Sequence, residues 1–271
     1  MKKKKTNIII VVIFLIGLVV LLYPSISNWW NLSRQSRVIS DYVSAVNDLP
    51  AEDREAMLYE AEKYNKTLLS KGDRYEMNGF EKDEYSNLLN IDGNGTMGYL
   101  EIPKISVSMP IYHTTDSDVL QFAAGHIPGT SLPVGGVGTH CVLSGHRGLP
   151  SARLFTDLDR LQTGDVFRVN VLGKSLCYEA DQIRIVDPDN IEALEIDPEA
   201  DLFTLVTCTP YGVNTHRLLV RGHRVSEDFT EGEVYFPSEA IRVEPIIVAI
   251  VVFVLILLPI PVILRVRDKR R

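Results

Sequence analysis

Cys208 closes an apolar, β-rich run, Leu202-Phe203-Thr204-Leu205-Val206-Thr207, and Arg217 opens the next such run nine positions later. Pro210, Gly212 and Asn214 punctuate the stretch between them as a loop. Two neighbouring strands would therefore hold a thiol and a guanidinium side by side. His146 stands upstream in Ser144-Gly145-His146-Arg147-Gly148, which reads as a turn after a strand. A thiol, an imidazole and a fixed cation are the parts needed for acyl transfer through a thioester.

Each of these residues has competitors. A cysteine closing an apolar strand is more often a small buried hydrophobe than a nucleophile. Cys141 lies mid-strand in Thr139-His140-Cys141-Val142-Leu143, and a Cys141–Cys177 bridge is a rival use for two of the thiols. His126, in Gly125-His126-Ile127-Pro128-Gly129, has a setting similar to that of His146 and is its runner-up. His216 abuts Arg217 and, in a strand, points to the opposite face. Arg217, Leu219 and Arg221 alternate onto one face, so either arginine can look into a cleft; Arg217 lies nearer the loop leaving Cys208.

Longer strings narrow the field. Thr207-Cys208-Thr209-Pro210-Tyr211-Gly212-Val213-Asn214-Thr215-His216-Arg217 and Leu143-Ser144-Gly145-His146-Arg147-Gly148-Leu149-Pro150 resemble the sortases, cysteine transpeptidases of Gram-positive surfaces, and among them the class C, pilus-assembling branch. The likeness runs from about Gly98 to about Arg224. It implies an eight-stranded β-barrel with Cys208 as nucleophile, His146 as proton carrier and Arg217 as oxyanion partner. It implies cleavage of a Leu-Pro-x-Thr-Gly-like sorting signal between Thr and Gly, and transfer of the acyl group to a lysine of a pilin subunit. It calls for no cofactor and no metal. Anchoring of surface proteins to the peptidoglycan cross-bridge is the alternative within the family, and a non-catalytic barrel adhesin the alternative outside it.

The pilus branch also carries a lid, an Asp-Pro-aromatic motif that plugs the site. By position the nearest equivalent is Asn78-Gly79-Phe80. Asn78 supplies no carboxylate and Gly79 removes the rigidity of proline. Phe80 is expected to seek an apolar pocket, and the closed state to be marginal.

The ends of the chain speak of a membrane. Lys2-Lys3-Lys4-Lys5 precede an apolar run over residues 8–22 that ends at Tyr23-Pro24, with Trp29 and Trp30 beyond. A retained anchor is favoured over a cleaved signal peptide. Residues 246–264 form a second apolar run, followed by Arg265, Arg267, Lys269, Arg270 and Arg271. With both basic flanks cytoplasmic, residues 28–244 lie outside the cell. The net charge of −7 disfavours nucleic acid as a partner.

Helical spacing recurs over residues 31–70, broken at Leu49-Pro50. Short strands are expected at 98–103, 107–112, 139–144, 166–171, 176–186, 203–207 and 217–223, with a short helix over 154–161. Asn90-x-Asp92-x-Asn94-Gly95 matches a calcium-loop template in spacing but reads better as a turn. The expected fold is mainly β: an eight-stranded sortase-type barrel with short helices, an N-terminal helical appendage and two terminal transmembrane helices. The divisions are 1–27 for the basic end and first span, 28–94 for the appendage and lid-like segment, 95–228 for the catalytic barrel, 229–245 for a linker, and 246–271 for the second span and basic tail.

Overall fold

The computed structural model describes residues 2–226, with side chains from residue 12 onward. The expected second span, 246–264, lies outside the described residues. Two units divide the chain, one holding the N-terminal residues to Ile26 and one beginning at Ser27. Every site residue lies in the second.

Helix α1 runs from Lys2 to Asp48. It is the one helix among the described residues that is long and apolar enough to cross a membrane, by length and composition. The sequence places a stop at Tyr23-Pro24, but Pro24 lies inside the helix. Proline removes one backbone donor there, a loss that a long helix with intact turns on both sides absorbs. Helix α2, Ala51–Leu68, starts after Pro50, as its first-turn Glu52 and Asp53 favour.

Eight strands close a barrel: β1 (Thr96–Ile102), β2 (Val107–Tyr112), β3 (Ala124–His126), β4 (Thr139–Ser144), β5 (Val166–Val171), β6 (Lys174–Val186), β7 (Asp201–Thr209) and β8 (His216–Val225). Their order around the barrel is β1-β2-β3-β4-β7-β8-β6-β5. The pairs β2–β3 and β4–β7 are parallel and the other pairs antiparallel. Closure removes every free edge, so each strand finds its hydrogen bonds within the sheet. Strand β3 has no counterpart among the sequence-derived strands; three residues carry too little alternation to be seen. The stretch 154–161 yields only a 3-10 turn, Leu158–Arg160.

The barrel interior is filled by alternate residues of each strand, among them Leu100, Ile111, Leu143, Phe167, Tyr178, Phe203, Leu205 and Val220. Phe167, Tyr178 and Phe203 form an aromatic knot with ring centroids 5.1–5.7 Å apart. The helical appendage is tied on by side chains that satisfy barrel backbone. Tyr42 donates to the Met97 carbonyl at 2.9 Å and accepts from the Leu172 amide at 2.9 Å. Asn65 pairs with both backbone groups of Leu132.

Between α2 and the barrel the sequence reads as a lid-like loop, yet residues Gly79–Asn87 form a helix, α3. Asn78 is its N-cap. The Asn78 side chain accepts from the Glu81 amide at 3.0 Å, and Glu81 accepts from the Asn78 amide at 2.9 Å. This reciprocal pair is a capping box. Asn90, Asp92 and Asn94 satisfy one another and local backbone in a turn, and Glu101 bonds Asn170 instead.

Candidate active site

Strand alternation sorts β7 into two faces. Phe203 and Leu205 point into the barrel, whereas Val206 belongs to a separate apolar cluster with Val142, Val186, Leu194 and Leu219. Cys208, two residues beyond Val206, shares that outer face. The register pairs Val206 with Leu219 and Cys208 with Arg217. Thiol and guanidinium thus stem from directly opposed residues, close enough for side chains to meet.

His146 comes from β4. The parallel register pairs Ser144 with Val206. Pairing continues past the strand end: the Gly145 amide donates to the Val206 carbonyl at 3.1 Å, and the Thr207 hydroxyl donates to the Gly145 carbonyl at 2.8 Å. His146 is the next residue of that chain, just beyond β4 and beside the strand that ends in Cys208. The three sequence-derived residues therefore lie at the same end of the neighbouring strands β4, β7 and β8. Val142, Val186, Leu194, Val206 and Leu219 form a buried apolar cluster on that outer face, with Ile127 and Ala193 packed against it.

The competing groups are otherwise engaged. Cys141 and Cys177 are buried and all three cysteines are free thiols, so the bridge reading does not hold. Burial pushes the Cys141 thiol well above its ordinary range. Cys208 alone is partly accessible. His126 is fully buried, with Nδ1 2.8 Å from the Tyr85 hydroxyl and Nε2 2.8 Å from the Ser131 carbonyl. His113 and His140 are likewise buried and bonded to backbone carbonyls. His216 is exposed and faces Asp187 at 3.5 Å. Arg221 makes a two-pronged ion pair with Asp181, at 3.0 and 2.9 Å. Arg217 bonds only to the Asn214 and His216 carbonyls, at 3.4 and 3.2 Å, and among the described residues no carboxylate pairs with it. Its charge remains available to a substrate oxygen. His146 is half-buried, and burial holds its pKa below the ordinary histidine value.

Phe80, the lid candidate, is 77% exposed and fills no pocket. Helix capping by Asn78 turns the segment's one buried aromatic face, Tyr85, inward, and leaves Phe80 outside. The same stretch of chain does reach Leu194 and Glu195, through a residue that sequence reading passed over. Arg74, 8% exposed, binds the Glu195 carboxylate at 3.1 Å and the Leu194 carbonyl at 3.0 Å. His140 bonds the Glu195 carbonyl from the floor side at 2.8 Å. Residues 194 and 195 are thus fastened from two directions. Arg147 was also missed. Its guanidinium pairs with Asp159 and reaches the Thr209 hydroxyl at 3.4 Å, which links the turn after β4 to the residue after Cys208. Its adjacency to His146 was the available signal.

A model of the sortase domain matches residues 100–225. The chain is 33% identical over 132 residues to sortase D of Bacillus subtilis (strain 168), covering 48% of this chain and 64%, under two thirds, of that protein. Sortase C1 of Streptococcus agalactiae is 50% identical with a TM-score of 0.69, over 71% of this chain and all (100%) of the other. Sortase C of Streptococcus pneumoniae, whose structure was described for catalysis and pilin substrate specificity, is 42% identical with a TM-score of 0.64, over 70% and 97% of the two chains.

Proposed function

Because this chain belongs to the sortase family of cysteine transpeptidases and has class C sortases as structural neighbours, we propose that it polymerises pilin subunits through a thioester on Cys208. The observation that carries this reading is the cross-strand pair Cys208–Arg217, with His146 just beyond the neighbouring strand β4 and the rivals Cys141, Cys177 and His126 buried.

The chemistry follows from the placement. Cys208 gives its proton to His146 and its sulfur attacks the Thr–Gly carbonyl of a Leu-Pro-x-Thr-Gly-like signal. The oxyanion that forms is stabilised by the Arg217 guanidinium and neighbouring backbone amides. His146, now imidazolium, protonates the departing glycine amine as the C–N bond breaks. A lysine amine of a second pilin then attacks the thioester and loses a proton to His146, and the thiol leaves. The lowered pKa of His146 makes the neutral ring its resting form near neutral pH, suited to accept the thiol proton in the first step. Desolvation of the closed complex strengthens each of these charge interactions.

Residues 95–228 form the catalytic part in this reading and stand on the outer face of the membrane. The apolar start of α1 is the anchor, and the basic ends are cytoplasmic. The test incubates the full chain in detergent micelles with a pilin bearing a sorting signal and an acceptor lysine. The expected products are a covalent high-mass ladder and, without acceptor, an acyl adduct on Cys208 by intact mass. An adduct resolved only by a cross-bridge amine would assign wall anchoring instead, and no adduct would refute the transpeptidase reading for this chain.

A further inference from the structure

The turn that carries His146 is braced from two sides. On the barrel side, the His146 carbonyl accepts from the Phe155 amide at 3.1 Å, and the Gly148 amide donates to the Thr156 hydroxyl at 3.2 Å. Gly145 lies so close to Phe155 that a Cβ there would meet the ring at 2.5 Å. The position of His146 therefore depends on where residues 151–156 are held.

That segment is held by α1. Asn31 donates from Nδ2 to the Ser151 carbonyl at 2.8 Å. The Arg153 amide donates to Asn28 Oδ1 at 3.0 Å. Arg153 precedes Phe155 by two residues, so a short path of covalent and hydrogen bonds joins Asn28 to the His146 carbonyl. Asn28 and Asn31 are three residues apart and continue the face that binds the barrel through Gln35, bonded to the Phe122 carbonyl at 2.6 Å, and Tyr42. Asparagine is a poor helix former, because its side chain competes for backbone groups. Two of them in the middle of a long helix are explained by the two backbone groups they reach.

We propose that Asn28 and Asn31 are positioning residues for His146: they fix the segment whose Phe155 amide holds the His146 carbonyl, and so set where the imidazole stands relative to Cys208. This deepens, and rests on, the transpeptidase reading of the site. The two asparagines use opposite chemistry, one accepting and one donating. Asparagine to aspartate keeps an acceptor but loses the donor, so the same substitution has opposite consequences at the two positions.

The experiment uses the full chain in detergent micelles and the variants Asn28→Ala, Asn28→Asp, Asn31→Ala and Asn31→Asp. Asn28→Ala, Asn31→Ala and Asn31→Asp should each lower kcat for transfer of a sorting-signal peptide by about three- to tenfold, with KM unchanged. Asn28→Asp should stay near wild type. Hydrogen exchange of the backbone amides in 151–156 should accelerate by a similar factor, about three- to tenfold, in the three impaired variants and not in Asn28→Asp. An equal response of the two aspartate variants, or unchanged exchange in Asn28→Ala, overturns the proposal. A wild-type chain that transfers no peptide would count against the transpeptidase reading, and the exchange pattern would then decide the positioning role by itself.

Discussion

His126 offers a quantitative check on the reasoning that excluded it from catalysis. It is fully buried. The Ser131 carbonyl can only accept, so Nε2 carries the ring proton, and Nδ1 receives the Tyr85 hydroxyl hydrogen. A second ring proton on Nδ1 would face that hydroxyl hydrogen in a fully buried site. Burial accordingly lowers its pKa from 6.5 to about 4. In the unfolded chain the ring titrates at the ordinary value. Between those two pH values the unfolded state binds a proton that the native state does not, so stability falls as pH falls. The stabilisation is fully present above pH ~6.5 and is lost toward pH ~4, about 3 kcal/mol in total and about 2 kcal/mol by pH 5. His113 and His140, also lowered by burial, add in the same direction. The assay is urea unfolding of the full chain in detergent micelles at pH 7.5, 6 and 5, for wild type and His126→Asn. The variant should be less stable at pH 7.5, because the buried partners Tyr85, Thr130 and Ser131 lose their bonds, yet lose less stability on acidification. Parallel pH profiles for the two proteins would refute the account of His126 as a neutral, structural ring.

Iodoacetamide should modify Cys208 in the native chain and leave Cys141 and Cys177 untouched until the barrel unfolds; peptide mapping reads this directly, and early labelling of Cys141 would contradict its burial. Arg217→Lys should cost at least about tenfold in kcat/KM, since lysine lacks the planar fork. Arg221→Lys should instead lower stability by about 1 kcal/mol through its partly buried pair with Asp181 while sparing activity; the reverse ranking would reassign the oxyanion role. Phe80→Ser should leave the Cys208 alkylation rate unchanged, as an exposed ring cannot plug a groove, and a several-fold acceleration would restore Phe80 as a lid residue.

Much of the site was legible because strand chemistry is periodic. The runs flanking Pro210–Thr215 announced β7 and β8, and period-two alternation separated Arg217 from His216. What alternation could not say was which arginine was free; the Asp181 pairing of Arg221 joins residues 40 positions apart. Helix α3 was hidden for a different reason. Helix α3 buries only Tyr85, too little apolar periodicity to reveal a helix, although Asn78 and Glu81 stood at capping-box spacing in plain view. Arg74 and the two asparagines of α1 escaped because their partners lie 120 or more positions away. Such contacts are set by how the chain closes, and no local pattern encodes them.

The parallel pairing of β4 with β7 has a temporal consequence. Gly145 and Thr207 are 62 positions apart, and the hairpin β5–β6 is made between them. Parallel neighbours cannot be joined by a tight turn, so this contact closes a long loop, and loop-closure entropy places such contacts late in folding. Arg217 comes later still in the chain. Cys208 therefore has no Arg217 across from it until β8 is in place, and the cross-strand pair arises in one step with completion of the barrel.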